Sequence, residues 1–169
     1  MVDRSDLGPE AQNQALLEKI NACLEKLGST SKWIKAPEFL PEYEALRDKK
    51  ILLVDDVVNV IEGYIPDLVV ATQGKADFIL YNGETLEQLV QHILQTNSDI
   101  VLVDYNLSQS LKGDRVIKEM RNQFSGKLIG FSSNQWNNEK FKEAGADGSV
   151  EKQSWSIEVS IKELAELLK

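Results

Sequence analysis

The nine residues IVLVDYNLS, at positions 100–108, join a short apolar run to an aspartate and a polar loop. Four apolar residues in front of Asp104 are typical of a buried β-strand. One interpretation is that Asp104 simply begins a turn, because aspartate is common in turns. The alternative is that the strand is a rigid support that holds a reactive carboxylate at its end. The rest of the chain distinguishes between the two.

Four other segments share this strand pattern, and helical segments alternate with them. Strands are predicted at 50–56, 77–81, 127–131 and 148–150, and helices at 84–95, 113–124, 137–145 and 156–169. Near-continuous apolar strands that alternate with helices indicate a parallel sheet covered on both faces. The predicted fold class is therefore α/β, a doubly wound five-stranded parallel sheet. Between 57 and 73, Gly63 and Pro66 predict a helix that is kinked or split.

Residues 1–48 depart from this pattern and are predicted to form an N-terminal helical extension ahead of a main domain at 49–169. The segment 9–28 has the apolar spacing of an amphipathic helix, with Leu16 or Leu17, Ile20, Leu24 and Leu27 on one stripe. A short helix is expected within 41–47. The stripe must pack against either the main domain or a second copy of the chain, so a homodimer is one of two alternatives.

The bulk composition excludes several classes of protein. A formal net charge of -8 over 169 residues argues against a general nucleic-acid binder, which needs a basic face to neutralise phosphates. No apolar run approaches the roughly 20 residues that span a bilayer, and the polar N-terminus is unlike a secretory signal. One cysteine and one histidine leave no disulfide framework and no Cys/His zinc site. A cytoplasmic protein without membrane or nucleic-acid partners is expected.

Polar side chains follow the carboxyl ends of the predicted strands, where ligands bind in doubly wound sheets. The first strand ends in Asp55 and Asp56, the third in Asp104 and the fourth in Ser132, and Lys152 follows the fifth. The second strand offers only Tyr81 and Asn82, which predicts an edge strand outside the site.

Three converging carboxylates would raise one another's pKa values unless a cation lies between them. Mg²⁺ typically takes one or two carboxylates, with water and a substrate phosphate as further ligands. With the metal in place, one carboxylate can attack phosphorus and form an acyl phosphate. Lys152 would supply an ammonium group and Ser132 a hydroxyl donor to the phosphoryl oxygens. The set predicts a phosphoryl-binding site with Mg²⁺ as its cofactor.

Four motifs, ILLVDD, VLVDYNL, FSSN and AGADGSVEK, resemble in order and spacing the receiver domain of two-component response regulators. The resemblance covers residues 49–169 and implies a flavodoxin-like receiver fold. It implies a signalling protein that catalyses its own aspartate phosphorylation and dephosphorylation and is not otherwise an enzyme. The implied phosphodonor is a histidine kinase or a histidine phosphotransfer protein. Phosphorylation would switch a surface that binds an unknown target protein.

The resemblance also assigns roles to individual residues. It implies that Asp104 is the phosphoacceptor and a metal ligand, and that Asn106 gives its main-chain carbonyl to the metal. The remaining matches are an acidic Mg²⁺-binding pair, Asp55 and Asp56, and two residues that bind the phosphoryl group, Ser132 and Lys152.

The chain departs from the receiver pattern at three places. No proline follows Asp104 within the next loop, and Gln153 follows Lys152 where receivers usually have a proline with a cis bond. Ser149 stands where an aromatic switch residue is usual. Signalling by rotation of that aromatic residue is therefore not expected, whereas the phosphorylation chemistry is.

Two other functions are compatible with parts of this pattern. The departures favour a degenerate receiver that acts as a phosphorylation-independent interaction module. A Mg²⁺-dependent phosphatase of the haloacid-dehalogenase type also uses aspartates, a Ser/Thr and a lysine, but it expects Asp-x-Asp after the first strand. Here Asp55 and Asp56 are adjacent and Val57 follows them. His92 lies within a predicted helix and is interpreted as a surface residue, not as a phosphorelay histidine.

Overall fold

A computed structural model describes residues 6–153 and 155–169, so the first five residues of the extension lie outside the described residues. The sheet has five parallel strands in the order β2-β1-β3-β4-β5. The strands are β1 (Ile51–Asp55), β2 (Ala76–Leu80), β3 (Ile100–Asp104), β4 (Lys127–Ser132) and β5 (Gly148–Glu151). The predicted strands and the α/β fold class are confirmed, and β2 is an edge strand as predicted.

Helices cover both faces of the sheet. They are α1 (Pro9–Leu27), a 3₁₀ helix (Pro41–Leu46), α2 (Val58–Ala71), α3 (Leu86–Gln95), α4 (Gly113–Met120), α5 (Asn137–Ala144) and α6 (Ile157–Leu167). Successive residues of a strand point to opposite faces. Leu53 and Leu102 therefore join the core beneath α1, α2 and α6, whereas Val54 and Val103 join the core beneath α3, α4 and α5.

Of the two alternatives predicted between β1 and β2, the split helix is wrong, because this region forms the single helix α2. Pro66 lies inside this helix, where a proline costs about 3 kcal/mol because it removes a hydrogen bond and crowds the preceding turn. Burial offsets this cost, since Pro66 is itself buried and Ile61, Ile65 and Leu68 of the same helix are in the core. Each fully buried aliphatic side chain stabilises the fold by roughly 1.5–3 kcal/mol. Tertiary packing therefore overrides the local preference.

The extension packs on its own chain. Helix α1 lies against α2 and the edge strand β2, and its apolar stripe is buried in the core, as Leu16, Ile20, Leu24 and Leu27. Lys26 forms an ion pair with Asp77 of β2 at 3.1 Å. The described helices include none that is both long and apolar enough to cross a membrane. Of the two alternatives for the stripe, burial against the main domain is the one observed.

Candidate functional site

The site lies at the carboxyl edge of the sheet, between its two central strands. The chain order reverses between β1 and β3, because β2 lies on one side of β1 and all later strands lie on the other. At such a switch point the loops that follow the two strands diverge and leave a crevice. Asp55 ends β1 and Asp104 ends β3, so both carboxylates lie at this crevice.

Three carboxylates converge there, as the sequence predicted. Ligand oxygens of Asp55, Asp56 and Asp104 all lie within 4.8 Å of one another. Asp55 is fully buried, and its Oδ1 accepts a hydrogen bond from the Val57 amide at 2.9 Å. Asp104 is 6% exposed, whereas Asp56 is partly open to solvent. The site thus has two buried carboxylates and one that is more accessible.

Lys152 joins the two buried carboxylates. Its Nζ donates to Asp55 Oδ2 at 2.7 Å and to Asp104 Oδ1 at 2.5 Å, and it lies 5.1 Å from the centre of the Phe131 ring. Among the described residues no group donates to the second carboxylate oxygen of Asp104. That oxygen is therefore available to a ligand or a reacting atom.

The pKa values of the site residues follow from burial and charge. Burial raises the pKa of Asp104, and the charges of Asp55 and Asp56 raise it further against the opposing effect of Lys152. The pKa of Asp56 is raised by burial and by Asp55. Burial alone would lower the pKa of Lys152, but the carboxylates of Asp55 and Asp104 hold it above its usual range. The site therefore carries negative charge that Lys152 does not fully neutralise.

This donor set fits a hard divalent cation. Three carboxylates and one ammonium leave an excess of two negative charges, and oxygen is the ligand atom that Mg²⁺ prefers. A cation among the oxygens of Asp55, Asp56 and Asp104 would oppose the charge repulsion that raises the pKa of Asp104.

Ser132 is held at the end of β4 with its hydroxyl oriented by two amide groups. It is 5% exposed, and its Oγ accepts from the Asn134 main-chain amide at 3.1 Å and from Asn137 Nδ2 at 2.9 Å. Both contacts use the oxygen as an acceptor, so the hydroxyl hydrogen is free to donate elsewhere. The main-chain amide of Lys152 donates to the Ser132 carbonyl at 2.9 Å. Asn137 was not singled out from the sequence, because its contact with Ser132 depends on how the start of α5 packs against the end of β4.

Asn106 lies in an exposed loop directly after Tyr105. Its Oδ1 accepts from Lys112 Nζ at 3.0 Å, and the two residues form an isolated antiparallel bridge. The loop that lacks the expected proline is thus closed by hydrogen bonds. At its end, Gly113 donates its amide to the Tyr105 carbonyl at 2.7 Å, and a Cβ at this position would collide with the main-chain oxygen of Asp104.

Sequence reasoning missed Lys112 and Gly113. The signal for Gly113 was its place at the first position of a helix that starts beside β3, where glycine permits close backbone approach. Ser149 is a half-buried residue of β5 and pairs with Gly130. His92 is exposed on α3, as expected.

No protein-family model and no curated protein matches this chain. Many solved structures do. The chemotaxis response regulator CheY4 of Vibrio cholerae is 17% identical, with a TM-score of 0.58 over 70% of this chain and 98% of that one. The BeF₃-activated DrrB receiver domain is 20% identical, with a TM-score of 0.55 over 71% of this chain and 97% of that one.

A receiver from a plant kinase also matches. The receiver domain of the histidine kinase CKI1 from Arabidopsis thaliana, complexed with Mg²⁺ and BeF₃⁻, is 16% identical, with a TM-score of 0.55 over 75% of this chain and 91% of that one. At such identities the likeness establishes the fold. This chain has the receiver-domain fold, and its N-terminal extension adds a helix to one side of it.

Proposed function

We propose that this protein is a phosphoacceptor receiver of a two-component or phosphorelay system, with residues 49–169 as the receiver unit. The observation that carries the proposal is the contact of Lys152 with both Asp55 and Asp104, beside Asp56 and at the switch point of the sheet. Receiver folds carrying BeF₃ or Mg²⁺ support it by analogy. Fold alone does not fix function, so the proposal rests on the site residues.

Asp104 is the proposed nucleophile. One of its oxygens accepts from Lys152, and the other is available to attack phosphorus. The attack forms an O–P bond and breaks the P–N bond of a phosphohistidine, and the leaving imidazole takes up a proton from solvent. An aspartate carboxylate is one of the side-chain nucleophiles that form covalent phosphoryl intermediates.

Mg²⁺ is the proposed cofactor, held by Asp55, Asp56, Asp104 and the main-chain carbonyl of Asn106. When bound, the ion neutralises charge on the phosphoryl oxygens. Asp55 is suited to hold it because the Val57 amide fixes the orientation of its carboxylate. Asp56 is more accessible and can adjust to the ligand.

Lys152 and Ser132 are the proposed phosphoryl-binding residues. Lys152 releases part of its contact with Asp104 when the new acyl phosphate forms and keeps its positive charge near the phosphoryl oxygens. Ser132 keeps a hydroxyl hydrogen to donate to one of these oxygens. Preorganised donors of this kind stabilise charge that develops during the reaction.

An apolar rim is the proposed docking surface for the phosphodonor. It consists of exposed residues on the loops and first helical turns after β1, β4 and β5, namely Val57, Val58, Trp136, Trp155 and Val159. Large exposed apolar residues near a reactive group are typical of a protein interaction site. A protein that brings phosphohistidine to Asp104 must cover these loops, which favours a histidine kinase or histidine phosphotransfer protein as the occupant.

Incubation with acetyl phosphate and Mg²⁺, followed by intact-mass measurement, tests the function. We expect a gain of one phosphoryl group that hydroxylamine removes, as it does from acyl phosphates. Asp104→Asn should abolish the gain, whereas replacement of Asp77, a half-exposed aspartate on β2, by asparagine should not. A gain that persists in Asp104→Asn contradicts the proposal. If neither Mg²⁺ binding nor phosphoryl uptake is measured, the chain is instead a phosphorylation-independent interaction module.

A further inference from the structure

The backbone on both sides of Lys152 is held by two hydroxyl groups from different helices. Ser160 of α6 donates its Oγ hydrogen to the Glu151 carbonyl at 2.6 Å and accepts from the Gln153 amide at 3.1 Å. Tyr64 of α2 donates to the Gln153 carbonyl at 3.1 Å, and its oxygen lies 3.0 Å from Ser160 Oγ. Ser160 is 1% exposed and Tyr64 is 4% exposed.

This arrangement depends on the residue at position 153 having an N–H group. A proline there would lack the donor that Ser160 accepts. No cis peptide bond is present among the described residues, so Gln153 continues the chain in the ordinary trans form. The half-buried amide of Gln153 would be costly to leave unpaired, and Ser160 satisfies it.

Tyr64 also contacts the surroundings of the Lys152 side chain. Its ring packs edge-to-face on Phe131, with centroids 4.9 Å apart, and Lys152 Nζ lies over the same Phe131 ring. Tyr64 therefore supports Lys152 at two points, through the main chain of Gln153 and through the ring beneath the ammonium group. Ser160 supports Lys152 through the main chain of the residues directly before and after it.

We infer that Tyr64 and Ser160 are positioning residues that hold Lys152 in its contacts with Asp55 and Asp104. The two hydroxyls restrain the backbone after Lys152, as the rigid ring of a proline at position 153 would otherwise do. The inference rests on the proposed function, because it assigns Tyr64 and Ser160 to the phosphoryl-transfer reaction through Lys152. Neither residue touches the carboxylates, so neither is catalytic.

The test compares Tyr64→Phe and Ser160→Ala with Tyr43→Phe. Tyr43 is also a buried tyrosine, but its hydroxyl has no hydrogen-bond partner among the described residues, so removing that hydroxyl breaks no bond. We expect the rate of phosphorylation by acetyl phosphate to fall roughly three- to tenfold in Tyr64→Phe and Ser160→Ala, the size expected for losing one or two hydrogen bonds. Tyr43→Phe should leave the rate unchanged.

A Lys152→Ala background shows whether the effect passes through Lys152. If Tyr64 acts only by positioning Lys152, Tyr64→Phe should cost nothing further once Lys152 is gone. An equal loss of rate in both backgrounds overturns the inference, as does a Tyr64→Phe rate that matches Tyr43→Phe.

A second readout does not depend on phosphorylation. The order of the Lys152 side chain, measured by NMR relaxation at its Cε, should fall in Tyr64→Phe and Ser160→Ala and stay unchanged in Tyr43→Phe. If the wild-type protein takes up no phosphoryl group, the proposed function fails, and this readout alone decides whether the two hydroxyls position Lys152. Unchanged order in both variants overturns the inference.

Discussion

Lys152 Nζ lies 2.5 Å from Asp104 Oδ1, and the same ammonium group reaches Asp55 at 2.7 Å. The Lys152 side chain is 13% exposed, so this is a buried network with one cation for two buried carboxylates. Breaking such a network from one side leaves an uncompensated buried charge, which costs more than the pair contributes.

Lys152→Met should lower the free energy of unfolding by about 3 kcal/mol at neutral pH in metal-free buffer, because Asp55 and Asp104 lose the one cation that pairs with them in the described part of the chain. Mg²⁺ should restore part of this stability by replacing the lost charge. Urea unfolding with and without Mg²⁺ measures both effects. Lys162→Met is the matched control, since Lys162 pairs with Glu42 and Glu158 on the surface and should change stability little. Equal losses in the two variants would contradict the buried-network interpretation.

Stability should depend on pH through Asp67 of α2. Burial and the neighbouring charge of Glu158 raise the pKa of Asp67 from 3.8 to about 6. A carboxyl whose folded pKa is raised destabilises the fold increasingly as pH rises from 3.8 to about 6, and the cost is constant above that range. Asp67→Asn should therefore stabilise the protein at about pH 8 and have little effect near pH 4.

Asp147 provides a control for which the expected change in stability has the opposite sign. Although burial alone would raise its pKa, hydrogen bonds from the Leu128 amide and Arg121 hold the pKa of Asp147 below its usual value. Asp147→Asn should therefore destabilise the protein above the ordinary aspartate pKa. Urea unfolding at both pH values measures the two variants, and effects of the same sign would refute the assignment.

Gly113→Ala should displace the loop after Asp104. The added Cβ would collide with the main-chain oxygen of Asp104, and relief of such overpacking costs about 1–3 kcal/mol. We expect a lower unfolding temperature together with slower phosphorylation by acetyl phosphate, because the carboxylate of Asp104, the proposed phosphoacceptor, moves with its backbone. Gly8→Ala is the control, since a Cβ there meets nothing within 4 Å. A variant that keeps the wild-type rate would show that the loop can move without Asp104.

Trp136 should report on the engagement of Ser132. Its amide donates to Asn134 Oδ1 at 3.0 Å, and the Asn134 amide donates to Ser132 Oγ. Binding of beryllofluoride with Mg²⁺ should draw the Ser132 hydroxyl toward the ligand and shift the environment of the 77% exposed Trp136 ring. A Trp33→Phe, Trp155→Phe background leaves Trp136 as the only tryptophan, and its fluorescence measures the shift. Ser132→Ala should abolish the change; persistence of the change would place its origin elsewhere.

Leu24→Ala should destabilise the whole domain and not only α1. Leu24 is 1% exposed in the core shared with α2, and a Leu→Ala change at such a site costs roughly 2–5 kcal/mol. Leu17 on the same helix is only half-buried, so Leu17→Ala should cost less. Circular dichroism and sheet-core amide exchange should report one transition in both variants. A separate early melting of α1 would show that the extension folds independently.

Much of the site could be predicted from local sequence. Each parallel strand ends at the same edge of the sheet, so an apolar run followed by Asp55, Asp104 or Ser132 places that residue near the others without knowledge of the packing. The binary pattern of apolar strands and amphipathic helices determined the α/β class for the same reason. Lys152 was found because it follows the last strand directly.

Only the tertiary structure decided what supports these residues. Tyr64 and Ser160 are 96 positions apart, and no local pattern relates the two hydroxyls to Lys152. The continuity of α2 through Pro66 depends on burial against a core drawn from the whole chain. Periodicity reports which face of a segment is apolar, whereas the partner of that face is set by packing between residues distant in sequence. The sequence IVLVDYNLS thus determined that Asp104 ends a buried strand, and the fold determined which groups hold it, close its loop and balance its charge.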